Sequence, residues 1–164
     1  MSIDYIVSSL PALAFGQSAP MSLDAFAEAA PAFAALAGAP GGACGPAAKY
    51  AAKWADLETQ LRNAMAAARG GERFARPADG CSVFWRSRVA ACFQEQDPLR
   101  RDEMLDRVWW DAAEELTDVA SPLGPGALST YAVRLGIALR RSRISEAAGN
   151  SAFEKLTASS KLKF

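Results

Sequence analysis

The chain contains no histidine. Without an imidazole, neither a serine–histidine–aspartate nor a cysteine–histidine nucleophile can be assembled within it, and the commonest general base at neutral pH is missing. Cysteine is scarce too: Cys44, Cys81 and Cys92 make an odd set with no CxxC pair. That pattern fits a reducing compartment better than a disulfide scaffold, and it leaves zinc short of ligands. Nor is there an excess of either charge, since 18 Lys and Arg balance 18 Asp and Glu. Nucleic-acid binders carry a basic surplus that displaces phosphate counterions, so the balance argues against that class. Long apolar runs are lacking as well. The alanine-rich stretch Ala25 to Ala47 comes nearest, but Glu28, prolines and several glycines interrupt it. The opening MSIDYIVSSLPALAF has no basic leader and carries Asp4, a poor signal peptide. These absences predict a cytoplasmic chain without a membrane span.

What is present describes packing. At 164 residues, with 51% hydrophobic and 22% charged residues, the chain is long enough for one soluble domain, residues 1–164, around a single core. Ile3 to Ser9 is rich in β-branched and aromatic residues and ends before Pro11, which predicts one short N-terminal extended strand. Ser22 or Asp24 can cap a helix carrying Leu23, Phe26 and Ala30, and Pro31 starts a short turn through Phe33 and Leu36. Gly38 to Pro46 reads as a loop. Tyr50, Trp54, Leu57, Leu61, Ala64 and Ala68 then recur at spacings of four and three, one seam of a long helix that Gly70 and Gly71 stop. Asp79 can open a helix that turns Val83, Trp85, Val89, Cys92 and Phe93 inward. Asp97 followed by Pro98 is a strong helix start. The helix it opens carries Leu105, Val108, Trp109, Ala112 and Leu116, until Pro122, Gly124, Pro125 and Gly126 break it. A further helix runs from about Ala127 to Arg141, with Leu128, Tyr131, Leu135 and Ala138 or Leu139 facing the core. Ser145 caps a last one through Phe153 and Leu156, and the tail beyond Ser159 frays. The expected fold is an all-α bundle of five to six helices.

Candidates for chemistry are few, and each has a plain structural alternative. Gly41 to Pro46 could support Cys44 as a nucleophile or form an anion-binding nest, yet it lacks a P-loop ending and a base to ionise the thiol. Asp106, Asp111, Glu114 and Glu115 could imitate a carboxylate metal site, with Asp111 and Glu115 on one helix face; a solvated face explains them equally. Neither set identifies a catalytic, cofactor or metal-binding residue.

Charge is uneven along the chain. Eight acidic residues stand against three arginines between Asp97 and Asp118, and seven basic residues stand against two acidic ones from Arg134 to Phe164. Two readings fit: the faces attract each other within the molecule, or one of them docks a charged partner. Arg140, Arg141 and Arg143 cluster near a helix C-terminus, where the helix dipole alone would favour them. Trp109 and Trp110 are adjacent and so point about 100° apart on a helix, which keeps both from one core. The expectation is Trp109 inward and Trp110 at an interface, where tryptophan is a common anchor.

The blocks Asp4–Glu28 (DYIVSSLPALAFGQSAPMSLDAFAE), LDRVWWDAAEEL, LSTYAVRLGIALRR and AAGNSAFEKL resemble a small bacterial family whose members are encoded beside the subunits of V-type rotary ATPases. The later blocks match at Leu105, Asp106, Trp110, Glu114, Leu116, Tyr131, Leu135, Arg140, Gly149 and Phe153. The piece QLRNAMAAARGG, ending at Gly71, looks like a helix-ending element common in the all-helical sockets that join the rotating shaft of such ATPases to the membrane ring. The chain departs from the family pattern at Trp109, where an arginine is usual, and at Gly136 and Leu139, where Gln and Glu are usual. The resemblance implies a non-catalytic, socket-like accessory or coupling protein that binds the central-stalk and rotor-ring subunits, needing no cofactor and reaching the membrane only through that complex. Under it, Trp110, Arg140, Arg141 and Arg143 are the expected partner-binding residues. A free-standing scaffold or regulator remains the alternative, with an enzyme built on Cys44 or the acidic helix behind it.

Overall fold

The computed structural model describes residues 2–144 and 146–161, with side chains described through 144 and from 149 to 158. Among them there is no strand. Eight helices of seven residues or more follow one another: α1 (Ile3–Ser9), α2 (Leu23–Ala29), a 3₁₀ helix (Pro31–Ala37), α3 (Ala48–Ala68), α4 (Val83–Cys92), α5 (Pro98–Ala112), α6 (Pro125–Ser142) and α7 (Glu146–Lys161). The all-α class is as expected, and the number of helices is higher. The N-terminal strand is replaced by α1. Ser2 caps it, its Oγ accepting from the Tyr5 N–H, and Asp4 favours its first turn. Ile3, Ile6, Val7 and Leu10 recur at helical spacing and pack on one apolar cluster, while Tyr5 stays exposed. That three-four periodicity outweighs the β-propensity of isoleucine and valine.

α6 is the central element. It lies against α1, α2, α3, α5, the 3₁₀ helix and the turn Ala113–Leu116, while α3, α4 and α5 pack together beside it. Three apolar clusters result. One joins Leu57, Leu61, Trp85, Val89, Leu105 and Val108; a second joins Phe26, Phe33, Leu128 and Leu135; a third holds Tyr50, Trp110, Leu116, Val133 and Ile137. Trp54 and Trp109 pack against the first and the third at once. α6 approaches the 3₁₀ helix so closely at Gly136 that a Cβ there would lie 2.9 Å from the Ala37 carbonyl oxygen. Glycine at this position therefore sets the contact.

α3 ends in a Schellman motif: Gly70, in the left-handed region at φ +74°, donates to the Ala67 carbonyl and Gly71 to that of Ala66. The chain then folds back along α3, held by three side chains at i, i+4 and i+7. Asn63 exchanges two hydrogen bonds with the Arg76 backbone, both 2.8 Å, Asp56 accepts from the Asp79 N–H, and Gln60 accepts from the Ser82 N–H at 3.0 Å. The Asp79 backbone is thus tied to α3 three residues before Ser82, and it is Ser82, its Oγ accepting from the Trp85 N–H, that caps α4, which leaves Val83 outside at 75% exposure. The expected cap at Ser145 lies outside the described residues; α7 continues through Lys161, past Ser159 where fraying is expected, and residues 162–164 lie outside the described ones.

Candidate partner-binding surface

α5 opens where the Asp97 carboxylate accepts from the Leu99 N–H at 2.9 Å, with Pro98 at its first position. α6 opens at Pro125 and ends in Arg140 and Arg141. The two helices cross so that the acids of one meet the bases of the other. Asp106, only 3% exposed, pairs with both Arg140 and Arg141; Arg141 also reaches Glu103 at 3.5 Å, and Arg134 holds Glu114 at 2.8 Å. Asp111 is bound by Arg88 and Arg107, and Glu115 accepts from the Trp85 indole N–H. Four acids of the run, Glu103, Asp106, Asp111 and Glu114, are therefore paired with arginines of the same chain. Among the described residues, no group of acids or thiols is arranged to hold a metal ion.

This pairing relocates the expected anchors. Trp110 is buried at 6%, with Phe15 edge-on at a ring distance of 5.5 Å and the Arg134 guanidinium 5.3 Å from its ring centre. Arg134 also donates to the Trp110 carbonyl at 3.1 Å. The turn carrying Phe15 covers the side of α5 that the sequence leaves open, so Trp110 belongs to the core. Trp109 is the half-buried one. Arg141 is tied to Asp106 and stacks on Phe15 at 5.0 Å. Arg140 pairs with Asp106 but keeps 59% of its side chain in solvent, and Arg143, at the end of α6, is exposed. The structure thus brings Arg140 and Arg141 together around Asp106 and takes Trp110 away from the surface.

A groove of about 400 Å³ opens between α3, α5, α6 and the 3₁₀ helix. Its apolar lining includes Leu36, Trp54, Met65, Trp109 and Ile137, its polar lining Glu58, Arg62, Asp102 and Arg140. Two half-buried indoles beside a charged edge form a surface that takes an apolar side chain and grips the polar atoms around it. Trp54 and Trp109 both fall on seams that the periodicity assigns to the core. Their size is the signal that was there to read, because two tryptophans on converging helices seldom bury completely.

The exposed Cys44 lies on the loop before α3. Cys92 is buried, and burial holds its thiol above the ordinary pKa, so it stays protonated at neutral pH.

No protein-family model matches the chain, and no curated protein or solved structure is similar to it. No described helix is long and apolar enough to cross a membrane.

Proposed function

We propose that the protein is a non-catalytic accessory or coupling subunit of a V-type rotary ATPase, binding by its helical surface between the central stalk and the membrane ring. The sequence blocks that resemble the ATPase-linked family direct this reading. The observation that carries its binding part is the groove in which Trp54 and Trp109 stand half-buried beside Arg140. A subunit that transmits force needs helices that do not slide. The Asp106 pairing locks α5 to α6, and Gly136 seats α6 on the 3₁₀ helix.

Of the four anchors expected from sequence, Arg140 retains the part most directly, because it lines the groove and is largely exposed. Trp109 takes the part given to Trp110. Native mass spectrometry of the ATPase purified from the source cell tests the proposal. The chain should be present in the intact complex, and Trp109→Ala should deplete it about 30-fold if the indole is an anchor of about 2 kcal/mol. Absence of the wild-type chain from the complex would leave a free-standing scaffold instead.

A further inference from the structure

We infer that the tryptophan groove continues along α3 into a carboxylate-binding channel, and that its occupant is a protein segment with an apolar anchor followed by an acidic run. The inference rests on the docking reading above and adds the chemistry of the partner. Arg62 and Met65 line both the groove and a second depression of about 280 Å³ beyond it. There Arg69, Arg76 and Phe74 join them, giving three guanidinium groups and no carboxylate in the lining.

Most arginines of α4, α5 and α6 are paired with acids of the same chain, as the Asp106, Asp111 and Glu114 contacts show. The end of α3 differs. Arg62 is engaged by Glu58 at 2.8 Å, but Arg69, Arg73 and Arg76 form no ion pair among the described residues. Two of them are held by aromatic faces instead, Arg69 at 5.3 Å from the Phe93 ring centre and Arg73 at 4.8 Å from that of Phe74. Stacking fixes the plane of a guanidinium and leaves its N–H fork outward, the geometry that grips a carboxylate with two hydrogen bonds.

The helix dipole explains Arg69 at the C-terminus of α3, where a cation is favoured by about 0.3–1 kcal/mol. It does not explain Arg76. That residue comes from the returning loop and is set beside α3 by the two Asn63 hydrogen bonds. The occupant must also satisfy the groove next door, whose apolar lining suits a protein side chain and has no counterpart in a phosphate backbone. A second copy of this chain is a poorer match: on α5 Asp106 and Asp111 are already paired, and the exposed Asp102 and Glu103 make two adjacent carboxylates rather than an acidic run. From Trp54 to Arg69 the channel follows α3 for about 22 Å at the helical rise of 1.5 Å per residue, the length of about four turns of a partner helix.

The probe is a fluorescein-labelled amphipathic helix of about sixteen residues, matched to that length, with leucines on one face of its first half and glutamates on that face of its second. Its control replaces every glutamate by glutamine. Fluorescence anisotropy on the full chain should show the acidic peptide binding about tenfold more tightly, a difference of about 1.4 kcal/mol, with the advantage shrinking as salt rises. Arg69→Gln with Arg76→Gln should abolish the advantage, and Trp109→Ala should weaken both peptides alike. Both arginines are exposed, so the double variant should keep its helices, which circular dichroism checks. Equal affinity for the two peptides, no binding of either, or displacement by polyphosphate at lower concentration than by the acidic peptide overturns the inference. Self-association that the double variant abolishes overturns it too, in favour of a second copy. The assay needs no ATPase, so a retained glutamate preference alongside failure to join the complex removes only the ATPase assignment.

Discussion

Asp106 on α5 accepts from the Arg141 guanidinium on α6 at 3.1 Å across 35 residues of sequence, and its carboxylate is all but closed to water. Arg140 approaches the same carboxylate from the solvent side. Arg141→Ala should cost about 2–3 kcal/mol, below the about 3–5 kcal/mol of a fully buried pair because Arg140 remains as counter-charge. Arg140→Ala, losing a largely exposed partner, should cost about 1 kcal/mol or less. Urea unfolding measures both. The double replacement should exceed the sum of the single ones, and simple additivity would show that Asp106 does not depend on the two arginines jointly.

Trp110 stands in a different position from the one its sequence context suggests. With Phe15 against its edge and Arg134 over its face, truncation to alanine removes core contacts and should lower stability by about 3–5 kcal/mol. Trp109→Ala, on the half-buried neighbour, should lower it by about 1–2 kcal/mol, since less apolar area returns to water. Thermal unfolding of the two variants decides the order. A more stable Trp110 variant than Trp109 variant would return Trp110 to the surface.

The contrast between these two tryptophans shows where the sequence stops being informative. The start of α5 is legible because Asp97 and Pro98 act locally, on the first turn of their own helix, whereas Pro125, taken from sequence as a breaker, in fact opens α6 two residues before the expected Ala127. The seam of α3 is legible because its period is that of the helix. Which of two adjacent indoles is covered depends on Phe15, nearly a hundred residues away, and no local rule reaches that far. α1 departs from the expected strand for a related reason: β-branched residues favour strands only when a pairing edge exists, and here the neighbour on offer is α6. The arginine channel is invisible in the sequence because Arg69 and Arg76 look like loop solvation until Asn63 is seen to bind the Arg76 backbone.

Gly136 and Gly149 make opposite forecasts for the same change. At Gly136 a methyl group would meet the Ala37 backbone, with its carbonyl carbon at 3.2 Å, and backbone cannot rotate away as a side chain does. Gly136→Ala should therefore destabilise by about 1–3 kcal/mol, outweighing the helix propensity gained. At Gly149, on α7, nothing lies within 4 Å, so alanine should raise helix stability by about 0.5–1 kcal/mol. Unfolding midpoints report the first and helical circular dichroism the second. A neutral Gly136→Ala would mean that the 3₁₀ helix shifts freely on α6.

Tyr50 links stability to alkaline pH. Its hydroxyl donates to the Asp118 carboxylate at 2.6 Å, and that hydrogen bond first, with burial second, raises the phenol pKa above its ordinary 10.0. The folded state thus keeps a proton that the unfolded chain gives up sooner. Its contribution is complete below the unfolded pKa and is lost as pH climbs from there through the higher folded value. Tyr50→Phe should cost about 1 kcal/mol at neutral pH, and the gap between wild type and variant should close as pH rises above about 10. Lys49 places its ammonium 5.3 Å from the same ring, a charge that acts on the Tyr50 phenol, so the pair is compared again in a Lys49→Gln background. A gap that stays constant into strong alkali in both backgrounds would show that the Tyr50 proton contributes nothing to folding.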